Sequence, residues 1–486
     1  MKDGTYWAEK LRKKEISFPE LLADIQKRIE VKNPSLNSII TVEEAAALAD
    51  YKQRTQLNES PFCGLPIPLK MLGQEKEGWL STSGSRLLKD HRSSYTSNFV
   101  KKAEQAGLIP FAQTNSPEFG FKNITDPQLY GETSNPWNTA HTPGGSSGGA
   151  AAAVASGIVP IAGASDGGGS IRIPASFCGL VGLKPSRGAM PDGPAYWRGW
   201  QGAAVHFFLT TSMRDTEALF YAMRGMDPAG PYQVSRNEWA HNQAATKEKL
   251  KIALVMDSPV GTPVSPEAER AVKEAAAFLE TLGHEVEELS YPLNGEQLIQ
   301  SYYDMNGAET AAMFHGIEQG IGRKVMKNDM EPMTWAIYRY GLDIKASDYI
   351  QTLELWDHAA NKMERIFDTY DLFLSPTTAQ TAPERAADLQ SPLIREQLAH
   401  AEDFSHEELS DLIQRMFAKS LAITPHTQLA NLTGLPAISL PTAVSEKGLP
   451  LGIQFMAGKG REDLLLQIGK IFEEHQKFEL PEYYRS

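Results

Sequence analysis

Cysteine is nearly absent. Cys63 and Cys178 are the only two in 486 residues, too few for a disulfide framework or a four-ligand metal site. Each sits between a phenylalanine and a glycine, a setting in which a free cysteine acts as a small hydrophobe. Long hydrophobic runs are missing too. The nearest, Gly148–Ala164, is built of alanine and glycine and is broken by Pro160, well short of the roughly 18 apolar residues of a membrane span. The N-terminal MKDGTYWAEKLRKK has no apolar h-region, so no signal peptide is read there and a cytoplasmic location is expected. Eleven histidines are scattered with neither HExxH nor zinc-type spacing, and no glycine-rich loop ends in Lys-Ser or Lys-Thr at phosphate-loop spacing. The net charge of −13 opposes a general affinity for nucleic acid or anionic membrane. Its plainest meaning is solubility.

What is present is an ordinary globular composition, 41% hydrophobic and 22% charged, enough to bury a sizeable core. Length allows two or three domains, yet no internal repeat and no long linker marks a boundary. One large domain over residues 1–486 is therefore expected. Its parts would be an N-terminal helical scaffold (about 1–60), a catalytic core (about 61–200), and a remainder that shapes the substrate pocket and completes the sheet.

Ser17-Phe18-Pro19-Glu20 is a capping box that predicts a helix ended by Asn33-Pro34. A second helix is expected over 41–53. FCGLPIPLK, residues 62–70, reads as an extended strand whose last residue is Lys70. Helix then strand follows over 100–106 and 108–114, with a helix over 149–156 and a strand near 158–162. KIALVM (251–256), a helix capped by Ser265, and a strand over 284–289 form a strand–helix–strand unit, which predicts parallel pairing and an α/β class. Residues 295–370 are mostly helical by pattern. Strands are expected over 370–377, 437–440 and 452–455, and a closing helix over 461–474. The polar stretch 388–408 reads as an exposed or lid-like excursion.

One stretch stands apart. From Pro143 to Pro185 the chain is dense in glycine and serine and nearly uncharged, which can signal a flexible linker. A linker would not carry the apolar run Ala150–Ala155, nor Ile171, Ile173, Phe177, Leu180 and Val181. Buried glycines beside buried aliphatics mean backbone packed against backbone or ligand, and an active site is the better reading. Gly144-x-Ser146-x-Gly148 and Gly145-x-Ser147-x-Gly149 both match the nucleophile elbow of α/β-hydrolases, with His426 as the late histidine. That match is cheap in so glycine-rich a region, and no buried aliphatic strand precedes it.

The stronger constellation is Gly144-Gly145-Ser146-Ser147-Gly148-Gly149, Asp166-Gly167-Gly168-Gly169-Ser170-Ile171-Arg172-Ile173-Pro174 and Gly179-Leu180-Val181-Gly182-Leu183-Lys184-Pro185. Upstream stand Gly64-x-Pro66-x-x-x-Lys70 and Thr114-Asn115-x-Pro117-Glu118. Together they resemble the amidase signature family, over most of the chain. The resemblance implies an α/β fold, a single large amidase-signature domain with a mixed β-sheet core covered by helices on both faces. It also implies a catalytic Ser–cis-Ser–Lys triad, with Ser170 as nucleophile, Ser146 as the serine after a cis peptide and Lys70 as base. The chemistry suits each residue. A serine hydroxyl needs a base to become a nucleophile, and lysine serves only when neutral, a state that burial favours. Gly167, Gly168 and Gly169 with Ser170 would turn backbone N–H groups inward as an oxyanion hole. Asp166 and Arg172 are expected to pair as structural support.

No metal or organic cofactor is required by this chemistry. The expected partner is a small-molecule amide, with no nucleic acid and no membrane, and a homodimer is left open. Three departures from the family pattern stand out: Met71 after the lysine, Gln113 before Thr114-Asn115, and Gly167 where a larger residue is usual. Beyond Lys251, the segments SPVG, TLGH and GREDLLLQ are most similar to 6-aminohexanoate cyclic-dimer hydrolase-like amidases. The expected function is therefore hydrolysis of C–N bonds in small linear or cyclic amides through a Ser170 acyl-enzyme. Two alternatives stay open: the glutaminase-type component of a glutamyl-tRNA amidotransferase, and a catalytically silent binding protein on the same fold.

Overall fold

The computed structural model of the chain describes residues 1–225, 227–234 and 247–485. Its strands form two sheets, and the division decides where the site lies. The smaller has the order β1-β3-β2, with β1 Ile39–Val42, β2 Leu65–Lys70 and β3 Leu108–Thr114. Strand β2 carries two prolines, which cannot donate to a ladder and so belong at a sheet edge. It pairs on one side only, parallel to β3, and is buried throughout.

The larger sheet has eight strands in the order β4-β6-β5-β10-β11-β9-β7-β8. These are β4 Ala162–Asp166, β5 Val181–Lys184, β6 Val205–Thr210, β7 Lys251–Leu254, β8 Glu285–Glu288, β9 Leu372–Pro376, β10 Ala437–Val444 and β11 Pro450–Met456. The pairings of β7 with β8 and β9 are parallel, while the β4–β6–β5–β10–β11–β9 run is antiparallel. The sheet is mixed, and the parallel unit is the one the strand–helix–strand pattern predicts. The joining helix, Pro266–Thr281, is capped by Ser265, whose side chain accepts from Ala268 N–H. Its alanine face packs on the sheet. The principal core runs from the N-terminal helices through both sheets to the helix Glu462–Glu474.

Several elements differ from expectation. The helix opened by the Ser17 capping box continues through Pro34 to Leu36. Asn33 explains this: its side chain accepts from Ser38 and Ile39 N–H and donates to Ile39 O, tying the turn beyond the proline. Residues 39–42 are strand, so the next helix starts at Glu44. The strand expected near 158–162 lies later, at β4, and runs straight into the Asp166 loop. The stretch 388–408 lies largely at the surface, as expected, but it is helical and anchored at two points. Helix Pro392–Ala399 buries Leu398, and Ala401 joins it in a cluster with Leu409 and Leu412. Among the described residues no helix is long and apolar enough to cross a membrane.

Candidate active site

Lys70 ends β2 and is fully buried. Its Nζ stands 2.7 Å from Ser146 Oγ and 2.9 Å from Ser165 Oγ. Gln74 pins the backbone, accepting from Lys70 N–H through Oε1 and donating to Ala164 O through Nε2. That link fastens the end of the small sheet to β4 of the large one. Burial pushes the ammonium down to about 7, against the opposing pull of the Asp166 charge. A lysine so placed holds a substantial neutral fraction near neutral pH, and a neutral amine can take a proton from a serine hydroxyl.

Ser146 follows a cis peptide, Gly145–Ser146. The residues around it are held by Thr125, whose hydroxyl donates to Gly144 O and accepts from Gly148 N–H. The helix Gly148–Ala155 begins just beyond, buried along its whole length. Ser147, the other serine of the elbow-like match, is turned away to donate to Ser165 O. The partner of Ser146 is thus Lys70, and the nucleophile-elbow reading with His426 lapses.

Ser170 sits on the loop between β4 and the helix Arg172–Cys178. The loop is fastened from below. Asp166 Oδ1 accepts from Gly169 N–H at 2.6 Å, and Oδ2 accepts from Ile171 N–H at 3.2 Å. Arg172 forks onto the same carboxylate, Nε to Oδ2 at 2.9 Å and Nη2 to Oδ1 at 3.0 Å, with both side chains wholly buried. Burial would raise the Asp166 carboxyl, but the Arg172 charge and hydrogen bonds outweigh it and hold it at about 2. Asn431 and Gln454 complete the net, accepting from Arg172 at 2.6 Å each, while Asn431 donates to Asp166 at 2.8 Å. A buried ion pair this fully satisfied holds a loop in one shape. Because Gly169 N–H is spent on Asp166, the N–H groups of Gly167, Gly168 and Ser170 are those without a partner among the described residues.

The loop faces a cavity, partly open to solvent, that Ser170 and Gly168 help to line. Its walls are mostly apolar and aromatic. Phe121 stacks on Trp200 at 6.1 Å, and Trp200 meets Tyr302 edge-on at 6.0 Å. Trp200 also accounts for one departure from the family pattern: a Cβ on Gly167 would stand 2.7 Å from the indole ring. The small residue makes room for tryptophan, not for open space. Among the described residues Lys122 is the only charged one lining the cavity, and it is engaged by Asp126 at 3.1 Å and Glu331 at 2.7 Å.

The family described as Amidase matches residues 20–466. The chain belongs to the amidase family. Among curated amidase-family relatives, the lipoamidase of Enterococcus faecalis is 40% identical over 97% of this chain, which spans 63% of that longer protein's length. The 6-aminohexanoate-cyclic-dimer hydrolase of Paenarthrobacter ureafaciens is 32% identical over 97% of this chain and 94% of its own. The A-type component of the Synechococcus glutamyl-tRNA(Gln) amidotransferase is 31% identical over 96% and 95%. Among solved structures, the 6-aminohexanoate cyclic dimer hydrolase complexed with substrate superposes with a TM-score of 0.87 at 30% identity, covering 99% of this chain and 98% of that one.

Within the amidase framework, Lys70 and Ser146 are in direct contact, Ser170 opens into the cavity, and Asp166 and Arg172 form one ion pair. The resemblance to the amidase signature family already includes Gly452-x-Gln454, without a role for the glutamine; Ser165, Gln74, Thr427 and Asn431 are not singled out by the sequence. Ser165 had a local signal, since it precedes the Asp166 loop on a strand. Gln74 lies only four residues beyond Lys70 but carries no motif, and Thr427 and Asn431 come from a distant segment with no local signal.

Proposed function

We propose that the chain is an amidase that hydrolyses small, uncharged amides through an acyl-enzyme on Ser170. One observation carries the reading: a fully buried Lys70, pushed down to about 7, lies 2.7 Å from the hydroxyl of Ser146 beside the cavity that holds Ser170. In this mechanism Ser170 Oγ attacks the amide carbonyl while its proton passes to Ser146, whose own proton goes to Lys70. The oxyanion rests on the free loop N–H groups of Gly167, Gly168 and Ser170, a narrower set than the four residues expected from sequence. The protonated Lys70 returns its proton through Ser146 to the departing amine. Water then attacks the acyl-enzyme by the same relay, with Asp166 and Arg172 holding the loop in place.

The cavity supports the substrate class. Its apolar, aromatic wall suits an uncharged acyl chain, and the lipoamidase and cyclic-dimer hydrolase among the relatives are named for amide substrates. A free amino acid such as glutamine would bring a carboxylate and an ammonium into a wall whose one charge, Lys122, is already paired. That disfavours the glutaminase-type alternative. The test is turnover of para-nitrobutyranilide by the purified chain alone. Wild type is expected to release nitroaniline with no second protein present, and Ser170→Ala to lose at least about a thousandfold in kcat with its fold unchanged. Full activity in Ser170→Ala would overturn the assignment.

A further inference from the structure

Two amide side chains in the cavity wall carry a feature the triad does not explain. Asn306, on the helix Gly295–Ile321, and Gln428, at the start of the helix Gln428–Thr433, are 8% and 9% exposed. Asn306 Nδ2 donates to Tyr302 O at 2.8 Å, and Gln428 Nε2 donates to Thr424 O at 3.0 Å. In each case the donor end is anchored on a carbonyl four residues earlier. Turning either amide over would set carbonyl against carbonyl, so the oxygen is the free end. Asn306 Oδ1 and Gln428 Oε1 are buried and have no partner among the described residues. Orphaned buried acceptors are costly and uncommon. Two lining one cavity point to a ligand that supplies the donors.

Their placement says which part of the ligand. Gln428 follows Thr427, whose hydroxyl donates to Gly168 O at 2.7 Å. Asn306 lies one turn beyond Tyr302, whose hydroxyl borders both Gly168 and the Asn306 amide. Both acceptors therefore flank the loop bearing Ser170, at the reactive end of the cavity. A neutral carbonyl oxygen in an apolar wall suits a neutral N–H; a charged ammonium would call for a carboxylate, and the cavity offers none among the described residues. We propose that Asn306 and Gln428 form a subsite that reads the N–H of the substrate amide. The enzyme then selects secondary amides over esters and N-alkylated amides of the same shape. The idea deepens the amidase reading and rests on it for turnover, though not for binding.

The test pairs para-nitrobutyranilide with para-nitrophenyl butyrate, which share acyl and aryl groups and differ in N–H against O. The anilide has one N–H, shared between the two oxygens, so Asn306→Leu and Gln428→Met should each lower kcat/KM for it about threefold and the double variant about tenfold, the size of one lost hydrogen bond, while the ester changes by less than about twofold. Retained ester turnover also serves as the control for folding. An equal fall on both substrates, or no fall on either, overturns the subsite. A second arm needs no chemistry: in a Ser170→Ala background, the affinity for the anilide measured by calorimetry should weaken about tenfold on adding Asn306→Leu and Gln428→Met together, and unchanged affinity overturns the proposal. Wild type that hydrolyses neither compound would strike at the amidase reading instead, and the binding arm would still decide the subsite.

Discussion

At Lys70 a charge and a proton acceptor compete for one buried nitrogen. Burial resolves the contest at about 7, so kcat/KM for a neutral amide is expected to rise with pH through about 7 as the amine loses its proton. The same burial carries a stability cost. Below about 7 the lysine is charged in both the folded and the unfolded chain, and the penalty is complete. Between about 7 and the ordinary value of 10.5 the unfolded chain binds more protons, so folding stability gained at this site rises with pH. Lys70→Met should therefore be inactive yet melt at a higher temperature than wild type at about pH 6, with the gap closing toward about pH 10. Calorimetry across that range checks it, and a variant less stable at about pH 6 would contradict the cost assigned to the buried charge. Lys70 was legible in the sequence because Gly64-x-Pro66-x-x-x-Lys70 carries part of the resemblance to the amidase signature family, and a lysine ending GLPIPL also breaks an apolar pattern. Asn306 and Gln428 were not, since a polar residue on a helix is ordinary until its surroundings are known.

Between elements, the helix Gly148–Ala155 shows how packing reverses a local rule. Alanine is favoured over glycine inside a helix by about 1 kcal/mol. At Gly149, however, a Cβ would stand 2.4 Å from Asn115 N and 2.5 Å from Asn115 O. Backbone atoms cannot swing aside, so Gly149→Ala should destabilise by roughly 1–3 kcal/mol. Gly316 is the control: it lies within the helix Gly295–Ile321 with nothing within 4 Å of its Cβ position. Gly316→Ala should stabilise by up to about 1 kcal/mol. Opposite shifts in denaturant midpoint are the expected outcome, and shifts of one sign would refute the argument. Elements with a cap or a strong period, such as Pro266–Thr281, were readable to within a residue or two. Strand β4 was misplaced because Ile158–Ala162 and Ala162–Asp166 both begin as small apolar runs, and only pairing with β6 chooses between them.

Over the whole molecule, a charge of −13 surrounds a cavity whose single lysine is already paired. A neutral anilide should feel little of that field, while one with a carboxylate at the far end of its acyl chain should be repelled. Raising salt should then leave kcat/KM for the neutral substrate flat and increase it for the anionic one, because screening shortens the reach of the field. Steady-state rates at low and physiological ionic strength decide it; parallel behaviour of the two substrates would count against electrostatic exclusion.

Residue order alone was enough to reveal the family, the chemistry its serine- and glycine-rich segments can support, and Lys70, Ser146 and Ser170 as the candidates for it. Those features lie in short stretches whose composition is improbable without a purpose. Everything else waited for the folded chain. Folding split the strands into two sheets and used Gln74 to join them at Lys70. It spent Gly169 N–H on Asp166 and set Trp200 against Gly167. It also brought Asn306 and Gln428 to the Ser170 loop from segments more than a hundred residues away. Apart from the Gly169–Asp166 bond, which spans three residues, these leave no local trace, because each depends on what a distant backbone places beside it.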